Sequence, residues 1–189
     1  MCASEAPSAQ ASRQIALLRG VNVGGHNRVP MAHLRELLLD LGYDDVRTHL
    51  QSGNAVFTAG AAPPEVAAQE IEGQLARSLG LGVRVLVRTA ADLARVVSAN
   101  PLPAAVAEPS RFLVTFLSAP PDPDLLGELD PVDFEPELFG FGERELYVWC
   151  PEGVRTLKLS YAFLERRFGV VATARNWNTV TRLLALARE

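Results

Sequence analysis

Two cysteines and three histidines are all that 189 residues offer of the common metal-binding side chains. Cys2 and Cys150 give neither a disulfide framework nor a metal-ligand spacing, and His26, His33 and His49 share no such spacing either. No metal site is therefore expected. Long apolar runs are also missing. Nothing approaches the roughly 18 consecutive apolar residues of a membrane span, and the N-terminus lacks the basic region and apolar core of a signal peptide. A cytoplasmic protein without membrane contact is the expectation.

Familiar catalytic and nucleotide motifs are absent too. Gly20 and Gly25 have P-loop spacing, but His26 and Asn27 stand where Lys and Ser/Thr are required. Asn22 breaks a GxGxxG match. Ser52 has no GxSxG elbow around it. Cys150, after an aromatic strand, reads as an inert thiol. The sequence thus names no cofactor and no catalytic set, and leaves enzymatic activity open.

What is present is an ordinary globular composition, 48% hydrophobic and 21% charged, with enough length to bury roughly 70% of the unfolded surface. Net charge is −4 but unevenly spread. Residues 101–153 carry two arginines against eleven acids, and residues 154–189 carry seven basic residues against two acids. A sequence pI near 5.5 weighs against non-specific nucleic-acid binding. The segments more readily face each other or water.

Residues 1–12 read as a disordered tail. Strand IALLR (15–19) precedes a glycine loop. Pro30 then opens a helix carrying Met31, Leu34, Leu37, Leu38 and Leu41 on one face, with Gly42 as its stop. VRTHL and AVFT flank QSGN as a hairpin. A second helix covers 64–79, VRVLVR (83–88) is a strand, and Thr89 with Asp92 makes a capping box. The first half, 13–100, therefore reads β-α-β-β-α-β-α. After a proline- and alanine-rich joint (101–110) the order returns over 111–189. There RFLVTFL is a strand, 122–129 a short helix, and VDFEPELF and ELYVWC two strands. A helix near 160–168 ends at Gly169, VVAT (170–173) is a strand, and a helix from 177 carries Val180, Leu183, Leu184 and Ala187. No residue-level repeat is visible, so any duplication is one of topology. The second half is expected to form its own sheet, packed intimately on the first.

The split β-α-β-β-α-β unit is the ferredoxin-like pattern. In it the hairpin turn lies where the first strand ends, so loop 20–28 and QSGN (51–54) should meet, with Arg88 at the opposite end. Glycines tolerate positive φ, and their N–H groups can turn inward around an anion. Arg19, leaving an apolar strand, needs a carboxylate partner or a ligand anion. Asn22, Asn27, Gln51, Ser52 and Asn54 supply neutral donors and acceptors. In ATARNWNTVTRL, Asn176 or Asn178 suits an N-cap, and Trp177 is more readily a core anchor than a stacking platform. Arg175 is oddly placed at a helix N-terminus unless an anion lies between them.

LRGVNVGGHNRVPM, THLQSGNAVF and TARNWNTVTRLLALA together resemble the bacterial family called domain of unknown function 1697. The resemblance covers Ile15 to the C-terminus and implies an α+β fold of two ferredoxin-like halves, with no assigned biochemical function. It marks Arg19, Gly20, Asn22, Gly24, Gly25, Gln51, Ser52, Gly53, Asn54, Arg175, Asn176, Trp177, Asn178 and Thr179 as signature positions. His26 stands where the family pattern often has lysine. Combining the two readings, the expected ligand site comprises Arg19, Gly20, Asn22, Gly24, Gly25, Asn27, Gln51, Ser52, Asn54, Arg175, Asn176 and Asn178. Its expected occupant is a small anionic or nucleotide-like molecule. The alternatives are a nucleic-acid module using the C-terminal arginines and Trp177, or a structural or protein-interaction role.

Overall fold

The computed structural model describes residues 12–189. The tail read over 1–12, with Cys2, lies outside the described residues except for Ser12, which is already in a strand and pairs with Ala59. The chain runs β1 (Ser12–Leu18), α1 (Met31–Asp40), β2 (Asp44–His49), β3 (Asn54–Ala59), α2 (Pro64–Leu79), β4 (Val85–Thr89) and α3 (Ala90–Ser98). It continues β5 (Phe112–Leu117), α4 (Pro123–Gly127), β6 (Leu138–Phe141), β7 (Glu145–Trp149), α5 (Tyr161–Phe168), β8 (Ala172–Asn176) and α6 (Trp177–Arg188).

The strands form two antiparallel sheets, β2-β3-β1-β4 and β6-β7-β5-β8. This is an α+β fold with two ferredoxin-like halves. The local signals act as their chemistry dictates. Thr89 and Asp92 form both bonds of the capping box. Gly42, Gly80 and Gly169 stand just past helix ends at φ of 84°, 66° and 65°, where a Cβ would be strained. Pro30 caps α1 from just outside it instead of opening it.

Alternation along the strands builds three apolar layers. Ala16, Leu18, Ala55, Phe57, Val85 and Val87 meet α1 and α2. Ile15, Leu17, Val56 and Leu86 point the other way, toward Phe112, Val114, Phe116 and Tyr147 of the second sheet. Helices α3 and α6 fill this middle layer and pack on each other. Although it ends the second half, α6 packs on β1 and β3 of the first sheet. Trp177 lies there, stacked on Phe112 at 4.9 Å between ring centroids. Beyond the second sheet, Leu113, Leu146 and Leu164 form the third layer.

Two expectations are corrected. VDFEPELF (132–139) is not one strand: Asp130 caps a 3-10 turn over Pro131–Phe134, and the strand begins only at Leu138. Pro136 lacks the N–H that a strand ladder would use. The last strand is displaced as well. The apolar run VVAT predicts a strand over 170–173, yet pairing of Leu113 with Asn176 carries β8 through Arg175 and Asn176.

Candidate functional site

The glycine loop and QSGN turn do meet. Leu18 N–H donates to Gly53 O at 2.9 Å, and the Asn22 side chain bridges the two loops. Its Oδ1 accepts from Val29 N–H at 2.9 Å, while Nδ2 donates to Val29 O at 2.9 Å and to Gln51 O at 2.7 Å. Asn22 and Asn27 adopt positive φ of 56° and 47°, and Asn27 Nδ2 donates back to Gly20 O at 3.3 Å. These asparagines bind the loop to itself. Two of the loop's N–H groups are also taken within it: Asn22 N–H by Asn27 O and His26 N–H by Val23 O. Gly53 is required for space, because a Cβ there would lie 2.5 Å from Val21 Cγ2 and 2.8 Å from Leu18 Cβ.

Arg175 is the centre of the assembly. Strand β8 turns its guanidinium away from α6 and across to the first half. There Nε donates to Asn54 Oδ1, and Nη2 to the carbonyls of Leu18 at 2.8 Å, Ser52 at 3.1 Å and Gly53 at 3.3 Å. Nη1 donates to Thr173 Oγ1 at 2.9 Å and Ala174 O at 2.8 Å. Every partner is neutral. Burial of this unneutralised charge pulls the Arg175 pKa down to about 10. The place of Arg175 beside the start of α6 thus needs no anion to account for it, since its guanidinium is held by the first half. Trp177 N–H is taken by Pro109 O at 3.2 Å, and Asn176 Oδ1 caps Thr179 N–H at 3.0 Å.

Of the two partners Arg19 needs, the structure supplies the carboxylate. Its Nε and Nη2 reach Glu165 Oε1 and Oε2 at 2.6 and 2.5 Å, and Oε1 also accepts Ala172 N–H at 3.0 Å. The bond to Glu165 raises the Arg19 pKa against the opposing effect of burial. The same guanidinium lies over the Tyr161 ring, 5.1 Å from its centroid.

Two adjoining cavities open on this junction. One, of about 150 Å³, is lined by Arg19, Gly20, Val21, Val23, Thr173 and their neighbours. The other, of about 520 Å³, has Leu50, Leu113, Val154, Leu157 and Ala174 as apolar walls. Arg155, Ser110, Ser160, Asn176 and Thr179 are its polar groups. Ser52, Tyr161, Ala174 and Arg175 border both. Of the expected site residues, Arg19, Gly20, Ser52, Arg175 and Asn176 line this cleft. Asn54 stands behind its wall, bonded to Arg175, and Asn22, Gly24, Gly25, Asn27, Gln51 and Asn178 line neither cavity.

Arg155, in the loop before α5, and Tyr161, the first residue of α5, also line the cleft, and no motif in the sequence marks them. Tyr161 is 42% exposed, an unusual degree for a large aromatic. Among the described residues, neither Arg155 nor Arg175 has a carboxylate within salt-bridge distance. Cys150 is buried, which pushes its thiol up to about 12 and removes it as a nucleophile.

The fold defines a two-half α+β protein with a cleft of apolar walls and a few polar groups between its halves. The chain belongs to the family described as protein of unknown function DUF1697, whose model matches residues 11–147. That span holds the glycine loop and the QSGN turn but stops before Arg155, Tyr161 and Arg175. No curated protein matches. Among solved structures, a conserved bacterial protein from Streptococcus pneumoniae is similar at a TM-score of 0.74 and 22% identity, over 94% of this chain and 99% of that one. The likeness speaks for the fold. Among the described residues, no helix is long and apolar enough to cross a membrane.

Proposed function

We propose that the cleft between the halves binds a small ligand bearing an anionic group and an apolar or planar part, of nucleotide-like character. One observation carries the reading: Arg175 is buried on neutral partners alone at the wall of the cleft. A buried cation without a counter-charge attracts an anion strongly, by about 4 kcal/mol at 4 Å for an effective dielectric constant of 20. Arg155 at the mouth adds a second cation. The apolar walls and the Tyr161 face suit the rest of such a molecule, and a volume of about 520 Å³ is in the range of small-molecule sites.

The test is a thermal-shift screen with inorganic phosphate, nucleoside mono- and diphosphates and aromatic carboxylates at constant ionic strength. A ligand at 100 times its Kd stabilises by about 2.7 kcal/mol. Arg155→Ala should remove the shift while leaving the free protein's midpoint in place.

A second reading has its own observation. Val23, Leu50, Val154 and Tyr161 are 65%, 54%, 49% and 42% exposed around the same mouth, an apolar rim that suits a protein partner. A silent screen together with self-association or capture dependent on Leu50 would favour it. The nucleic-acid reading has less support, since Trp177 and Arg175 are both buried.

A further inference from the structure

Beyond the shared topology, one arginine recurs at the same place in each half. Arg88 on β4 pairs with Ile15, and Arg175 on β8 pairs with Val114, each three residues before the end of its central strand. Arg88 Nη2 donates to Leu117 O, the end of β5, at 2.6 Å. Arg175 Nη2 donates to Leu18 O, the end of β1, at 2.8 Å. Each arginine also returns one bond to the carbonyl just before it, Val87 O or Ala174 O. Each is followed by the N-cap of the next helix, Thr89 or Asn176. The halves thus exchange arginines reciprocally.

They differ in what faces the Nε atom. Asn54, first residue of β3, accepts from Arg175. Glu145, first residue of β7, stands opposite Arg88 with Oε1 3.6 Å from Nε. Beside Arg88 lies a cavity of about 180 Å³ lined by Arg84, Arg144, Ser118 and Glu65, the counterpart of the cleft beside Arg175. Its arginine already has an internal anion. The arginine of the first cleft has only an amide.

We infer that the chain carries two related clefts, one neutralised by its own Glu145 and one left open to an external anion, with Asn54 as the residue that decides which. This rests on the anion-binding reading above and extends it. The account requires one anion per chain, although there are two arginine clefts.

The experiment is calorimetric titration of the full chain with inorganic phosphate and a nucleoside monophosphate. The wild type should take one equivalent. Asn54→Asp places a carboxylate against Arg175 and should weaken binding by at least about tenfold, or 1.4 kcal/mol. Glu145→Gln, which keeps size and shape, should add a second equivalent of phosphate. Asn54→Asp also exchanges the donor to His49 O and Ser52 Oγ for an acceptor, so Glu145→Gln and the wild-type stoichiometry stand as independent arms if that variant does not fold. Undiminished affinity in Asn54→Asp, two equivalents in the wild type, or a single one in Glu145→Gln would overturn the inference while leaving anion binding itself intact. A wild type that takes neither ligand overturns the underlying reading instead.

Discussion

The guanidinium of Arg175 and the carbonyl oxygen of Leu18 lie 157 positions apart in sequence and 2.8 Å apart in space. This bond closes the end of β1 with a side chain from the other half. It also explains why three polar segments converge: the glycine loop leaves β1 here, the QSGN turn offers its carbonyls here, and β8 delivers the donor.

Arg175→Met should destabilise the protein by about 3–5 kcal/mol, since the carbonyls of Leu18, Ser52 and Gly53 would lose a buried donor. Arg175→Lys keeps the charge but not the planar fork, and should fall between wild type and Met. Denaturant unfolding of the two variants checks the order. Equal stability of wild type and Met would mean that the bonds contribute nothing net.

Arg19 and Glu165 are partly exposed, with side chains 33% and 22% accessible. Screening by water therefore limits the pair, and a double-mutant cycle of Arg19→Ala with Glu165→Gln should return about 1 kcal/mol of coupling. Arg19→Ala should also loosen Tyr161, whose ring rests on the guanidinium. Ring resonances of Tyr161 in the NMR spectrum report that directly. Unchanged resonances with zero coupling would reduce Arg19 to a surface cation.

Asp92 provides a pH readout. Burial alone would raise its carboxyl, but bonds from the Thr89 side chain and backbone and from Arg95 outweigh this and hold it below its ordinary value. A carboxyl depressed in the folded state contributes stability above its unfolded pKa, and that contribution is lost as pH falls through the folded one. Thr89→Ala should therefore reduce stability at neutral pH by about 1 kcal/mol and flatten the acid limb of the stability profile. An acid limb as steep as that of the wild type would assign it to other carboxyls.

Much of the fold is legible because its signals are local. Helix 64–79, the Thr89–Asp92 box, the stop at Gly169 and the stripe of Val180, Leu183 and Leu184 depend on near neighbours. The misplaced pieces depend on distant ones. Arg175 and Asn176 look like loop residues, yet β5 supplies a ladder that holds them in strand. The start of β1 hides behind Gln14, a polar residue that is buried because Nε2 donates to Ala62 O at 2.7 Å. The site is legible only in part for the same reason. The meeting of the two loops follows from topology. That Arg19 has a carboxylate 146 positions away, or that Arg155 and Tyr161 stand at the mouth, follows from no spacing in the sequence.

The most direct test of the cleft is a two-dimensional amide NMR titration of the wild type with a nucleoside monophosphate at constant ionic strength. The account predicts saturable shifts concentrated at residues 50–52, 154–161 and 174–179, with the same peaks unmoved in Arg155→Ala at equal ligand. Shifts confined to the Arg88 side, shifts spread over exposed arginines and erased by moderate salt, or no shifts at all would contradict it.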